Sequence, residues 1–342
     1  MRVLVAACIA PFLPGGADYH IEGLVGALRQ AGHEVVCLRL PFKFSPPSAI
    51  ASLLGFCEGY DVSAPNGVSV DLLISLQFPA YGLTHPRHRL WLMHQHRAAY
   101  ELYDEATATA AERELAVTVR AFDDRVLPMI GTRFANSRRV AERLAQFTGL
   151  SSTPLYHPPF QAERFFCAPA ADYVFFPSRL ETLKRQDLLI EAARHVATPV
   201  KFLLAGDGGQ WSRYQSLIDS YQLGERVRLL GRITEAEKRV FYANALAVFY
   251  GPRDEDYGYV TLEAMLAGKP VITCTDSGGP LELAIDEKTA LVVPPNPEAV
   301  AAAIDRLYRE PAEAAAFGRA GRTHYHDLGI SWARVVEQLL AA

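Results

Sequence analysis

Apolar and polar positions alternate along the chain in a repeating rhythm. In the first half a short apolar run, Val3 to Ala7, leads into a Pro/Gly turn through Pro14, Gly15 and Gly16. A segment of helical period follows from Ile21 to Gln30, and Glu34 to Leu38 restarts an apolar run. Strand, glycine turn, helix and strand are the opening of a βαβ unit. Val70 to Leu76 and Leu90 to Met93 read as further buried strands. A long amphipathic helix is expected over Ala98 to Val119, and another over Ser137 to Phe147 with Asn136 or Ser137 as its cap. Residues 41–69 are rich in Pro, Ser and Gly and read as a long irregular excursion holding one short helix. Residues 154–170, with several prolines and little period, read as a linker between domains.

The second half is more regular. Strand-like runs occur at Tyr173 to Phe176, Val200 to Ala205, Val227 to Leu230, Leu246 to Tyr250, Pro270 to Thr273 and Ala290 to Val293. Helical patterns at Asp187 to His195, Trp211 to Tyr221, Glu235 to Tyr242, Val260 to Ala267 and Glu298 to Tyr308 separate most of them. Such alternation predicts a mostly parallel sheet covered on both faces. Ser331 to Leu340 reads as a terminal helix. The expected division is residues 1–160, residues 161–325, and a terminal segment 326–342 packing back on the N-terminal domain.

Composition adds limits. The 342 residues are half apolar, enough for two domain cores, and the formal net charge of -4 does not ask for a nucleic-acid partner. Arg87, His88, Arg89, His94, His96 and Arg97, with Arg138 and Arg139 further on, make a locally basic stretch. Five scattered cysteines form neither a disulfide framework nor a CxxC metal site, which fits a reducing cytoplasm. The opening MRVLVAACIAPFLPGG has the outline of a secretory signal, but its prolines and the helical pattern after it favour a buried first strand. No stretch is long and apolar enough to span a membrane, which leaves room for peripheral contact through the N-terminal domain.

The strongest chemical signal is GPRDEDYGYVTLEAMLAGKPVI, residues 251–272. Glu255 stands in a polar loop after an apolar strand, and Glu263 lies eight positions later in a helix whose neighbours Leu262, Ala264 and Met265 are apolar. The end of a strand followed by a helix N-terminus is where open α/β sheets take ligands. Amides around Tyr257, Gly258 and Tyr259 can receive an anionic oxygen there, and Gly258 permits close approach. Arg179 and Lys184, in PSRLETLKRQDLLI, supply two cations able to clamp a diphosphate. The glycines of AGDGG, residues 205–209, suit either a close ligand or a plain turn.

The order of these pieces closely resembles the retaining glycosyltransferases of the large Glu-x7-Glu family (glycosyltransferase family 4, glycosyl transferases group 1), over nearly the whole chain and most specifically over 173–293. The resemblance implies an α/β chain of GT-B fold, two Rossmann-like domains facing each other across a cleft. It implies that Glu255 contacts donor sugar hydroxyls, that Glu263 accepts from the ribose hydroxyls, and that Arg179 with Lys184 holds the diphosphate. It further implies that residues 257–259 meet the sugar or diphosphate, that Gly206 and Gly208 lie below the nucleotide, and that Arg232 in loop 231–233 helps read the base. Ser277-Gly278-Gly279-Pro280 and Glu282 match the later glycine-rich donor loop. Gly15 and Gly16 match the loop over the donor phosphates, and His94 matches a histidine that orients the transferred sugar.

On this resemblance a hexose passes from a nucleoside diphosphate sugar, with UDP, GDP and dTDP open, to a hydroxyl of a glycan, lipid-linked or small glycoside acceptor. No further cofactor and no metal is expected, although Asp254 and Asp256 flank Glu255 with Asp-x-Asp spacing. The aromatic and basic run 91–104 and residues 41–69 are the expected acceptor side. A cytoplasmic enzyme, peripheral at the inner face of a membrane, is the leading context. Alternatives on the same architecture are a nonhydrolysing nucleotide-sugar epimerase and a sucrose-synthase or phosphorylase-like enzyme. A Glu263→Ala exchange is expected to weaken nucleotide binding with little effect on folding.

Overall fold

Strand β1 (Arg2–Ile9) is buried along its whole interior, and its alternate side chains feed two separate cores. Leu4, Ala6 and Cys8 join one, while Val3, Val5 and Ala7 join the other. Both faces of the strand are therefore covered, as a central parallel strand requires. The computed structural model describes residues 1–12 and 15–341, so Pro14 of the expected turn lies outside the described residues. Among the described residues the chain divides into unit 1, Met1–Phe160 with Ser331–Ala342, and unit 2, Gln161–Ile330.

After β1, unit 1 continues through α1 (Gly16–Gln30), β2 (Glu34–Pro41), α2 (Pro47–Gly59), β3 (Leu72–Ser75) and β4 (His88–Leu92). It goes on through α3 (Ala110–Val126), β5 (Thr132–Ala135), α4 (Arg138–Thr148) and β6 (Thr153–Pro154). The described strands form one parallel sheet in the order β2-β1-β3-β4-β5-β6. In α1, Ile21, Leu24, Val25 and Leu28 are buried at the spacing that puts them on one helical face.

Unit 2 runs β7 (Tyr173–Pro177), α5 (Gln186–Ala192), β8 (Lys201–Ala205), α6 (Trp211–Ser220), β9 (Val227–Gly231) and α7 (Glu235–Asn244). It continues with β10 (Ala247–Phe249), α8 (Tyr259–Leu266), β11 (Val271–Cys274), β12 (Ala290–Val293), α9 (Pro297–Arg309) and α10 (Pro311–Asp327). Its described strands are also parallel, in the order β12-β11-β10-β7-β8-β9. The last helix, α11 (Trp332–Ala341), packs within unit 1. Its Trp332 ring lies so close to Gly23 of α1 that a Cβ there would sit 2.0 Å from it, so only glycine admits this contact. Val335, Val336 and Leu339 complete the seal.

The pattern misplaces several elements. The helix expected over Ala98 to Val119 starts at Ala110, because Thr109 and Glu112 form a reciprocal cap in which each accepts the other's backbone N–H, at 3.3 and 2.8 Å. Upstream, the Asp104 carboxylate accepts from the Ala106 amide and the Thr107 hydroxyl and holds a turn instead. Residues 41–69 contain the 13-residue α2, which faces the core through Ile50, Leu54 and Cys57. Short β5, β6 and the whole of α10 are not marked by the hydrophobic pattern. Between Asn136 and Ser137 the structure chooses Ser137 as the cap of α4, accepting from the Val140 amide at 3.1 Å.

Candidate active site

In unit 2 the chain builds β7, β8 and β9 outward in one direction, then returns to lay β10 on the other side of β7. At such a reversal the loops leaving the two central strands diverge and open a crevice at their carboxyl ends. The segments leaving β7 and β10 carry Arg179, Lys184, Tyr250 and Glu255.

Lys184 and Glu255 meet as an ion pair, both mostly shielded from water. The Tyr250 hydroxyl joins them, donating to Glu255 Oε2 at 2.9 Å and accepting from Lys184 Nζ at 3.3 Å. Burial, together with the Glu255 charge, keeps the Tyr250 phenol protonated far above its usual range. Tyr250 was legible only as the end of an apolar run. Arg179 stands exposed on the same segment as Lys184, and its carbonyl accepts from the buried Gln186 side chain at 2.8 Å.

Close backbone packing accounts for the glycines. The Ser178 amide donates to Ala205 O and the Leu180 amide to Asp207 O, at 2.9 and 3.0 Å. A Cβ on Gly206 would lie 2.0 Å from Ser178 O, and one on Gly208 2.5 Å from Leu180 O. These two glycines therefore let the loop after β8 dovetail with the segment that carries Arg179. Arg232, in the loop after β9, donates to Asp207 at 3.1 Å across exposed surface, linking the two outer loops weakly.

On the other side the Glu255 segment dovetails with residues 277–280. The Glu255 amide donates to Ser277 O at 2.9 Å, and the Gly279 amide donates to Glu255 O at 2.8 Å. Gly278 has φ +70°, and a Cβ on it would lie 2.6 Å from Glu255 O. Gly258, at φ +88°, caps α8 against Pro280. Tyr257 is buried and meets the half-buried Tyr259 edge-on, ring centroids 5.1 Å apart. Arg185 ties these loops from behind: it donates to Gly251 O and Pro252 O and makes a paired contact with the Asp276 carboxylate. Nothing in its sequence neighbourhood marks Arg185 for this work.

Glu263 lies inside α8 and is 5% exposed. Its Oε1 accepts from Lys238 Nζ at 2.9 Å and its Oε2 from the Tyr242 hydroxyl at 2.7 Å, both from α7. Burial disfavours the Lys238 ammonium, but the carboxylates of Glu263 and Glu235 outweigh it and hold its pKa above the usual lysine value. With both oxygens paired between buried helices, Glu263→Ala is expected to disturb folding as well, which revises the expectation from sequence.

In unit 1, Gly15 precedes α1, with its amide donating to the Asp18 carboxylate at 2.9 Å, and Gly16 is the first residue of the helix. Asp18 is in turn held by Arg39 at 2.7 Å. His94 follows β4, half-buried, with Nδ1 2.7 Å from Gln95 O. Its neighbour His96 stacks on Phe78, and burial lowers its pKa to about 4. Among the described residues no group of three or more His, Cys, Asp or Glu side chains is placed to hold a metal ion, and no helix is long and apolar enough to cross a membrane.

Residues 167–324 match the family described as glycosyl transferases group 1. An alpha-1,3/1,6-mannosyltransferase ALG2 of Dictyostelium discoideum is 35% identical over 107 residues, 31% of this chain and 25% of that protein. A D-inositol 3-phosphate glycosyltransferase of Thermobifida fusca is 27% identical over 255 residues, 70% of this chain and 56% of that protein. The chain thus spans less than two thirds of the length of either relative. Among solved structures, HepE of Anabaena in complex with UDP and glucose superposes with a TM-score of 0.71 at 18% identity, covering 100% of this chain and 99% of that one. The two parallel sheets with their helices are the GT-B fold.

Proposed function

From the match of residues 167–324 to the glycosyl transferases group 1 family we propose that the chain is a retaining glycosyltransferase moving a hexose from a nucleoside diphosphate sugar to a hydroxyl acceptor. The observation that carries this reading is the meeting of Lys184, Glu255 and Tyr250 at the strand reversal of unit 2. A diphosphate gives Lys184 new anionic partners, and sugar hydroxyls give Glu255 new donors, so both members of the pair are compensated when the donor enters. Arg179 on the same segment adds a second cation, Glu263 reaches the ribose, and the loops carrying Gly206, Gly208 and Arg232 flank the base. Tyr257, Gly258 and Tyr259 border the sugar and diphosphate. Within unit 1, Gly15, Gly16 and His94 take the roles that the family resemblance implies for them.

In the reaction the acceptor oxygen attacks the anomeric carbon on the face from which the diphosphate leaves. The bond to the leaving oxygen breaks with its electron pair going to the diphosphate, and that oxygen takes the acceptor proton. Attack and departure on one face retain the donor's anomeric configuration, and Lys184 and Arg179 stabilise the charge gathering on the leaving diphosphate. The acceptor is a glycan or lipid-linked hydroxyl compound, in keeping with the exposed aromatic side chains Phe12, Phe44, Phe56 and Tyr60 of unit 1, which suit sugar faces or lipid. Five unpaired cysteines suit a cytoplasmic setting, with peripheral contact at the membrane's inner face.

Calorimetry with UDP, GDP and dTDP, alone and as hexose conjugates, tests the reading. Base-selective binding that Lys184→Ala and Glu255→Ala each weaken supports it. Absence of binding across the panel overturns it.

A further inference from the structure

After β4 the chain turns through His94 and Gln95, and the contact between His94 Nδ1 and Gln95 O fixes a proton. A carbonyl oxygen only accepts, so Nδ1 carries the hydrogen in this 2.7 Å contact. In the neutral ring, Nε2 then keeps its lone pair. The choice depends on where the carbonyl of Gln95 points, and a buried network holds that residue.

Gln95 is 6% exposed, and its side-chain Nε2 donates to Asp123 Oδ2 at 3.1 Å. Asp123, on α3, is completely buried. The same Oδ2 accepts from the Tyr100 hydroxyl at 2.7 Å, and Oδ1 accepts from the Tyr81 hydroxyl at 2.6 Å. Three donors, one from the connection before β4 and two from the connection after it, thus converge on one carboxylate. Burial pushes that carboxyl up to about 6 despite the three bonds. Ala116, Val119 and Phe122 are buried on the same helix and show that its core contacts are otherwise apolar. A carboxylate at this depth is costly unless its acceptors are needed.

We propose that Asp123, acting through Gln95, is a positioning residue that sets the tautomer of His94 and leaves Nε2 as an acceptor for a hydroxyl of the sugar substrate. This rests on the reading of His94 as a sugar-orienting residue. Asp123 touches no substrate; it anchors the Gln95 side chain, which holds the peptide whose carbonyl selects the imidazole proton. Released from that anchor, the Gln95 carbonyl turns and the ring samples both tautomers.

The test is ¹⁵N NMR of the His94 imidazole in the full chain without added nucleotide, followed by transfer kinetics. The expected wild-type spectrum has a protonated, pyrrole-like Nδ1 and a pyridine-like Nε2. In Gln95→Leu both shifts move toward an average of the two tautomers, and the turnover number falls roughly tenfold while the donor KM stays within about twofold. Asp123→Asn gives the same direction of change. Because that variant alters a buried carboxylate, the melting temperature of Gln95→Leu supplies the control for an intact fold. A pyridine-like Nδ1 in the wild type, or an unchanged tautomer in Gln95→Leu, overturns the proposal. Undiminished turnover in His94→Ala overturns the sugar-orienting reading and leaves the tautomer result standing, so the two failures are told apart.

Discussion

Lys184, Glu255 and Tyr250 form one Lys-Glu-Tyr cluster in unit 2, and Lys238, Glu263 and Tyr242 form another with the same pattern of bonds. In each, one carboxylate accepts from an ammonium and a phenol. The first sits on segments between secondary elements, with side chains 18% and 16% exposed at Lys184 and Glu255. The second joins two helices, and the Glu263 side chain is only 7% exposed. Lys238 and Tyr242 lie one turn apart on α7, so the helix itself presents both donors to Glu263. Similar chemistry thus divides by mounting: partners on loops can be exchanged for a ligand, while Glu263 keeps its helix partners, holds the layer together, and meets a ligand only through its remaining lone pairs.

The largest effect should come from the helix cluster. Glu263→Ala strands the Tyr242 hydroxyl and takes one carboxylate partner from Lys238, and is expected to cost about 3 kcal/mol in denaturant unfolding, with weaker nucleotide binding as well. A variant that unfolds like the parent would erase the distinction between the clusters. Lys184→Ala should barely move the unfolding midpoint yet lower the turnover number on the order of a hundredfold, about 2.7 kcal/mol, and more than it raises the donor KM. A change confined to KM would make Lys184 a binding residue only.

A contrast with unit 1 extends the comparison to pH. Both units bury charge with a partner, as Lys238 with Glu263 in unit 2 and Arg143 with Glu101 in unit 1, but unit 1 also buries histidines held neutral. Burial takes His88 and His157 down to about 3 and His96 to about 4, and holds His20 well below the usual value. A histidine with a depressed folded pKa binds its proton more readily when unfolded, so its contribution is intact above about pH 6.5 and is lost as pH falls toward the folded value. Each costs up to about 1.4 kcal/mol per pH unit in that window. Asp123, raised to about 6, acts in the opposite sense, favouring the fold as pH drops from about 6 to 4, but stands alone against four histidines. Melting temperature should therefore fall between pH 6.5 and pH 4. The smallest effect is expected for Tyr250→Phe, which keeps the ring and loses the bond to Glu255 and the longer one from Lys184: a fall in turnover of about fivefold, near 1 kcal/mol, with stability within about 1 kcal/mol, checked by steady-state kinetics and melting. No kinetic change would mean the Lys184–Glu255 pair keeps its geometry without the phenol.

Much of this molecule was legible residue by residue. The alternation of apolar runs and helical periods announces two parallel sheets, because burial on both faces leaves strands continuously apolar, as in β1, β7 and β11. The segment 251–272 announces itself through a carboxylate after a strand and glycines where the backbone must turn. Less legible were elements whose signals are short or polar. β5 begins with Thr132 and Arg133, and α3 starts at Ala110 rather than Ala98, where its apolar period suggests, because a capping pair overrides periodicity.

The sequence by itself determined what depends on neighbours within a turn or a strand: element type, caps, the positions open to glycine, and the chemical groups available. Only the tertiary structure decided which of those groups meet. Lys184 and Glu255 are 71 positions apart, Gln95 and Asp123 are 28, and Lys238 and Glu263 are 25. Strand order brings each pair together, and strand order follows from how whole faces are buried, which no local window contains.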